Sequence, residues 1–211
     1  KSHPADETGK QLIQQMVQFA DQHDVRHRIV FLPNYDIAMA RTLYPGCDVW
    51  LNNPVRPMEA CGTSGMKSAL NGGLNLSILD GWWDEMADGE NGWAIPSADG
   101  IADEHRRDDL EAEALYSLLT DTVIPLFYNR GADGVPERWV EMVRHTLAEL
   151  GPKVLASRMV RDYTTELYTP AARSVAAISA DAYAPARDLA AFRDAAVAAW
   201  PSVAVIAVDD E

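Results

Sequence analysis

An α/β fold, with a doubly wound parallel sheet followed by C-terminal helices, is the architecture that this sequence predicts. Three features support it. Helix-like and strand-like segments alternate through residues 1–100, the strand-like segments are apolar on both faces, and the remainder is helical in pattern. A strand that is buried on both faces belongs in a parallel sheet covered by helices on two sides.

The elements of the first hundred residues follow from apolar spacing and from turn residues. Helical spacing predicts three helices, over residues 7–23, 35–43 and 63–70. Short apolar runs predict four strands, over residues 28–32, 48–52, 74–79 and 93–95. Pro33, Pro45 with Gly46, and Gly72 with Gly73 punctuate these segments, because proline and glycine end regular structure.

Beyond residue 100 the pattern is helical. Helices are predicted over residues 110–127, 136–150 and 154–167, followed by an Ala-rich tail of one or two helices. We therefore expect a sheet domain over residues 1–100, helices packed on it over 101–170, and a helical tail over 171–211. Trp139, Met142 and Leu147 lie at helical spacing and predict core positions.

Composition excludes several classes of function. The chain carries 18 basic and 32 acidic residues, a formal net charge of -14, which argues against binding nucleic acid or an anionic membrane. Its two cysteines cannot form a disulfide framework, no histidine or cysteine lies at metal-ligand spacing, and no apolar run could span a bilayer. We expect a cytoplasmic protein without a metal. Since the sequence begins without Met and without a signal region, we also expect a piece of a longer chain.

The segment that indicates chemistry is residues 58–67, MEACGTSGMK, between a predicted strand and a predicted helix. Ligands of open parallel sheets bind at such strand-to-helix loops. Gly62 and Gly65 allow close backbone approach, and the amides and hydroxyls of Thr63 and Ser64 would face a ligand at the helix start, where phosphate is favoured. A plain turn with an N-cap explains the same residues equally simply.

Lys67 adds to the case for a functional loop. The chain has four lysines against fourteen arginines, and this lysine follows the glycine-rich loop by one helical turn. A lysine amine can become a neutral nucleophile and form a Schiff base, whereas arginine cannot deprotonate. The alternative is an ordinary solvated lysine. Glu59, eight residues earlier, could accept hydrogen bonds from sugar hydroxyls or could simply be solvated.

These residues carry a family resemblance. Residues 59–74, EACGTSGMKSALNGGL, followed by Asp80 and Gly81, resemble the pyridoxal-phosphate segment of the α-glucan (glycogen/maltodextrin) phosphorylases. Residues 31–35 and 38–40 resemble the strand and helix that precede it, and residues 1–4 resemble the preceding loop more weakly. At the positions of Cys61 and Ser64, the sequence resembles the shorter bacterial branch of this family. The resemblance implies the C-terminal part of the catalytic domain, a Rossmann-like half of a two-domain GT-B glycosyltransferase.

The resemblance also implies roles for individual residues. Lys67 would hold pyridoxal 5'-phosphate, with Thr63 and Glu59 completing the catalytic set. Two further sets are implied. The cofactor would contact Lys67, Gly62, Thr63, Ser64 and Tyr35. The glucose being transferred would contact Glu59, Ala60, Cys61 and Gly62.

The implied reaction is the phosphorolysis of α-1,4-glucan ends by inorganic phosphate, which releases glucose 1-phosphate with retention of configuration. The active site of the family lies between two domains, so this chain would supply one wall. It would need the missing N-terminal domain as a partner and would be inactive alone. Whether it forms a homo-oligomer stays open.

Two other functions are compatible with the same fold. A nucleotide-sugar-dependent glycosyltransferase similar to glycogen synthase would carry a second glutamate eight residues after Glu59, where this chain has Lys67. A non-catalytic module would fold without cofactor. A smaller hypothesis concerns Trp82 and Trp83, which could form a sugar-stacking platform or could pack in the core.

Overall fold

The computed structural model describes residues 2–204. The chain divides into two compact units, Lys1–Lys153 and Val154–Glu211. Predictions that touch residue 1 or residues 205–211, the first position of the weak loop resemblance and the last part of the Ala-rich tail, lie outside the described residues.

The first unit contains the sheet. Its strands are β1 (Val49–Asn52), β2 (Leu74–Ile78) and β3 (Gly92–Ile95). Its helices are α1 (Glu7–Gln22), α2 (Ile37–Leu43), α3 (Thr63–Ala69), α4 (Trp82–Met86), α5 (Glu104–Leu118), α6 (Ile124–Tyr128) and α7 (Glu137–Val154). A 3-10 turn, Tyr44–Gly46, follows α2, and a π-helical turn, Leu119–Val123, joins α5 to α6.

The predicted parallel sheet is confirmed. Its strand order is β1-β2-β3, with Val49 paired to Leu74 and Ile78 paired to Ile95, and both pairs of strands are parallel. All five residues of β2 are buried, as expected of a central strand covered on both faces. Since α3 leads from β1 to β2, the loop before α3 lies at the carboxyl end of β1.

The strand predicted over residues 28–32 is wrong. The amides of Arg28 and Ile29 both bond to the carbonyl of Val25 in a turn, and Val30 is 68% exposed. A strand exists only where a second strand accepts its hydrogen bonds, and within residues 2–204 β1 pairs with β2 alone. The apolar side chains of this segment instead line, with α1, a hollow of about 500 Å³.

Two helices differ from the sequence prediction. Helix α2 begins at Ile37, because the carboxylate of Asp36 accepts a hydrogen bond from the Met39 amide at 2.9 Å and so caps the helix. Helix α4 is absent from the sequence prediction. It holds Trp82 and Trp83, which are 5% and 1% exposed, so the sugar-stacking platform is wrong and both rings pack in the interior.

The core lies between the sheet and the later helices. It is built from strand residues and from Val123, Trp139 and Met142, with Trp93 and Trp139 rings 5.5 Å apart. Burial of these large side chains is the main stabilising contribution, at about 1.5–3 kcal/mol for each aliphatic or aromatic residue. Leu147 is 43% exposed, so its predicted core position is wrong, whereas those of Trp139 and Met142 are confirmed.

The second unit is helical. It contains α8 (Ala156–Asp162), a π-helical turn, Tyr163–Tyr168, α9 (Thr169–Ala199) and a 3-10 turn, Trp200–Ser202. Residues 180–183 of α9 have non-helical dihedral angles, so this stretch comprises two helices, one of the two possibilities left open by the sequence. Between residues 2 and 204, no helix has the length and apolarity needed to cross a membrane.

A hydrogen bond between side chains links the turn before β3 to α7. His145 Nε2 lies 2.7 Å from Asp88 Oδ2, and both side chains are partly exposed. Partial burial acts to raise the pKa of the Asp88 carboxyl, but hydrogen bonds from His145 and from the amides of Glu90 and Asn91 outweigh it and lower the pKa.

The Asp88 contact predicts a pH-dependent stability. A carboxyl whose native pKa is depressed stabilises the fold above its unfolded pKa of about 4, and this contribution disappears as pH falls through the native pKa. We expect Asp88→Asn to lower stability at pH 7 by less than about 1 kcal/mol, because the pair is solvent-exposed. Thermal unfolding from pH 7 to pH 3 measures this. The gap between wild type and variant should close below about pH 4; a gap of constant size would contradict it. The matched control is Asp188→Asn, which makes the same substitution at an exposed aspartate of the second unit.

Candidate functional site

The loop between β1 and α3 is fixed at the carboxyl ends of two strands. Asn52, the last residue of β1, donates through Nδ2 to Oε1 of Glu59 at 3.0 Å. Asp80, which follows β2 and is 8% exposed, accepts hydrogen bonds from the amides of Glu59 and Gly81, each at 2.9 Å. Glu59 is therefore held at the edge where ligands of parallel sheets bind.

Two glycines let this loop pack tightly. Gly62 has φ +84° and immediately precedes α3, and a Cβ there would overlap Oε1 of Glu59. Gly81 has φ +53°, and a Cβ would lie 2.5 Å from the carbonyl oxygen of Cys61. That carbonyl accepts the Trp82 amide at 2.9 Å. At Gly81 only glycine tolerates both the positive φ and the contact with backbone, whereas at Gly62 the left-handed backbone favours glycine and the Glu59 side chain would have to move to admit a Cβ.

The first turn of α3 is anchored on one side and open on the other. Asn75 of β2 donates to the carbonyl of Gly65 at 3.2 Å, and Trp50 Nε1 donates to Ser64 Oγ at 3.2 Å. Because an indole N–H can only donate, Ser64 accepts here and keeps its own hydroxyl hydrogen for another partner. Gly62 has no side chain with which to cap the amides of this turn, and these amides are donors that an anion can satisfy.

Lys67 lies in the last turn of α3 and lines a hollow of about 240 Å³. The lysine side chain is exposed, and inside residues 2–204 no hydrogen bond or ion pair engages its ammonium group. The opposite wall comes from α2 and the turn that follows it. The other lining residues are Ile37, Ala40, Arg41, Tyr44, Pro45 and Asn71.

Tyr35 does not line this hollow but reaches it through Tyr44. The two hydroxyl groups are 3.3 Å apart, and the buried Tyr44 ring lies 4.7 Å from the ring of Trp50. Burial, followed by the hydrogen bond with Tyr35, raises the pKa of Tyr44 well above its ordinary value, so the phenol stays protonated. Sequence reasoning missed Tyr44, since the Tyr-Pro-Gly run indicates only the end of a helix.

The predicted residues thus fall into two groups. The structure brings Glu59, Cys61 and Gly62 together through the packing of their loop on Asp80 and Trp82. The second group is Lys67, which lines the hollow, and Tyr35, which reaches the hollow through the unpredicted Tyr44. Three predicted residues are exposed on the loop or at the start of α3: Ala60, Cys61 and Thr63.

Comparison with known proteins identifies relatives over nearly the whole chain. A family model described as carbohydrate phosphorylase matches residues 1–91. A glycogen phosphorylase of Mycobacterium tuberculosis (strain ATCC 25618 / H37Rv) is 69% identical over 209 residues, which is 99% of this chain and 24% of that protein.

More distant relatives have similar names. A glycogen phosphorylase of Aquifex aeolicus is 46% identical over 80% of this chain, and a maltodextrin phosphorylase of Thermococcus litoralis is 36% identical over 97% of it. The chain spans 24% of the length of each of these proteins. The resemblance found in residues 59–74 therefore extends across the sequence, and the chain belongs to the carbohydrate phosphorylase family.

Proposed function

We propose that this chain forms one wall of the active site of an α-glucan phosphorylase, as the C-terminal part of its catalytic domain. The reaction is phosphorolysis of α-1,4-glucan ends by inorganic phosphate to give glucose 1-phosphate. The observation that carries the proposal is Lys67, whose amine has no polar partner within residues 2–204 and lines a hollow next to the helix that follows the glycine-bounded loop. Support comes from the relatives, which are phosphorylases rather than nucleotide-sugar transferases.

The residues around Lys67 fit pyridoxal 5'-phosphate. This cofactor has an aldehyde, an aromatic ring and a phosphate group, and it needs an amine, an apolar wall and anion-binding donors. Lys67 offers the amine, Tyr44 and Ile37 offer apolar surface, and the amides of Gly62, Thr63 and Ser64 offer donors. When bound, the cofactor would supply a phosphate group that exchanges a proton with substrate phosphate.

The protein's own residues would hold the cofactor and position the substrate. Lys67 would retain the cofactor through its ε-amine, and Tyr35 would act through its hydrogen bond to Tyr44. Glu59, Ala60, Cys61 and Gly62 would bind hydroxyls of the transferred glucose. Oε1 of Glu59 accepts from Asn52, which leaves Oε2 for a sugar hydroxyl. Thr63 would add a hydroxyl donor beside them.

The second wall would come from the rest of a polypeptide of the relatives' length, in the GT-B arrangement, with the missing N-terminal domain facing this one. Residues 1–100 would belong to the sheet domain, residues 101–170 to the helices that follow it, and residues 171–211 to the tail. Free Cys47 and Cys61 favour a reducing compartment, so we place the protein in the cytoplasm.

Turnover by the chain alone and by a longer polypeptide tests this division. The purified 211-residue chain and a polypeptide of the relatives' length that contains it are each given maltodextrin, inorganic phosphate and pyridoxal phosphate. We expect glucose 1-phosphate only from the longer protein, since the chain offers one wall. Product from the chain alone would contradict the one-wall proposal. A longer protein that folds, retains the cofactor and releases no glucose 1-phosphate would overturn the proposed function.

A further inference from the structure

Among residues 2–204, the hollow beside α3 is lined by cations and by no acidic residue. Arg41, in the last turn of α2, and Lys67 are the charged residues around it, and the other lining residues in the described part of the chain are neutral. This contrasts with the protein as a whole, whose formal net charge is -14. A concave surface of one charge sign concentrates ligands of the opposite sign.

Neither cation has an acidic partner within residues 2–204. This distinguishes Arg41 from seven other arginines, which form ion pairs with aspartate or glutamate. They are Arg26, Arg56, Arg107, Arg138, Arg158, Arg161 and Arg193. The chain has more acidic than basic residues, so most cations could find an acidic partner. An arginine and a lysine that share a hollow without such a partner among the described residues attract an anionic ligand.

The size and the walls of the hollow narrow the class of anion. Its volume of about 240 Å³ equals about eight waters at about 30 Å³ each, enough for more than a bare ion. Ile37, Pro45 and the buried ring of Tyr44 supply apolar surface beside the two cations. An aromatic ligand that carries an anionic group matches this combination.

We propose that Arg41 is a further cofactor-binding residue, which holds the phosphate group of pyridoxal phosphate retained at Lys67; this rests on the function proposed above. The guanidinium group can donate two parallel N–H bonds to phosphate oxygens, which a lysine ammonium cannot do. Arg41 contributes the positive charge that compensates the phosphate.

The test compares two aldehydes that differ only in the phosphate. The full 211-residue chain is equilibrated with pyridoxal phosphate or with pyridoxal, reduced with borohydride, and the adduct on Lys67 is quantified by peptide mass over a concentration series. Variants are Arg41→Gln and Arg41→Lys, with the exposed Arg144→Gln as the matched control. Thermal unfolding of each variant reports whether the fold is intact.

We expect Arg41→Gln to weaken retention of pyridoxal phosphate about fivefold, the effect of a surface charge pair worth about 1 kcal/mol, and to leave pyridoxal unchanged. Retention of pyridoxal phosphate by Arg41→Lys should lie between that of Arg41→Gln and that of the wild type. Added salt should weaken this retention more in the wild type than in Arg41→Gln. Equal losses for both aldehydes, or no loss, would overturn the role of Arg41. If Arg41→Gln does not fold, Arg41→Lys becomes the deciding variant. An Arg41→Lys chain that keeps both the wild-type preference for pyridoxal phosphate over pyridoxal and the wild-type salt dependence would also overturn the role of Arg41.

Two further outcomes separate the possible sources of the anion. Inorganic phosphate competes with pyridoxal phosphate in the same assay. If Arg41→Gln abolishes this competition but leaves retention of the cofactor unchanged, the residue binds substrate phosphate and the cofactor assignment is wrong. If the wild-type chain is never modified at Lys67, the proposed function itself is wrong. If the wild type is modified and Arg41→Gln behaves identically, only the role of Arg41 is wrong.

Discussion

Replacing Lys67 with arginine should eliminate the borohydride-trapped adduct and reduce phosphorolysis by the longer protein about 10²- to 10⁴-fold. The cofactor that Lys67 would retain supplies general acid–base catalysis, which typically contributes this much. Arginine keeps the positive charge and most of the length of the side chain, but its guanidinium cannot deprotonate to attack an aldehyde. Lys67 is exposed, so the substitution should leave the fold intact. Trapping, peptide mass and release of glucose 1-phosphate are the measurements.

A lysine elsewhere in the chain provides the control for this substitution. Lys10 pairs with Glu7 at 2.6 Å on the surface of α1, so Lys10→Arg should retain both the adduct and the activity. If Lys67→Arg keeps wild-type phosphorolysis while Lys10→Arg behaves normally, the ε-amine is not needed and the assigned role of Lys67 is wrong.

Replacing Asp80 with alanine should destabilise the protein by about 2–3 kcal/mol and also reduce retention of the cofactor at Lys67. Asp80 is 8% exposed and accepts hydrogen bonds from the amides of Glu59 and Gly81. Removing a buried charged acceptor leaves both amides without partners, and hydrogen bonds to charged groups contribute about 1.5–3 kcal/mol. The loop before α3 would then lose its connection to the end of β2.

Urea unfolding followed by tryptophan fluorescence measures this loss, because five of the six tryptophans lie in the first unit. Asp84→Ala, four residues later, is the control. Asp84 is exposed and lies 3.4 Å from Arg56, so its loss should cost less than about 1 kcal/mol. Equal effects from the two substitutions would show that the buried carboxylate does not organise the loop.

Local sequence signals predicted the elements that carry the motif. Helix α3 begins directly after Gly62 and ends before Asn71, where the glycine-bounded pattern places it. Strand β2 is buried throughout, and its Leu74, Leu76 and Ile78 supply the hydrophobicity from which a buried strand is predicted. These features depend on backbone freedom and on hydrophobicity, which each residue carries regardless of its neighbours in space.

Features that depend on distant partners were not predictable. The apolar run of residues 28–32 has the composition of a strand, but it lacks a strand partner among the described residues. Arg41 and Lys67 are 26 positions apart and line the same hollow because α3 packs against the turn after α2. Asp88 and His145 are 57 positions apart. Tertiary packing, rather than local propensity, creates all three of these outcomes.

The most direct measurement is the mass of one peptide. The wild-type chain is incubated with pyridoxal phosphate, reduced with borohydride, digested, and each of its four lysine-containing peptides is compared before and after treatment. We predict a single modified site, at Lys67, that saturates as the cofactor concentration rises. Modification confined to Lys10 or Lys153, or none at saturating cofactor, would contradict the assignment of this hollow as the cofactor site.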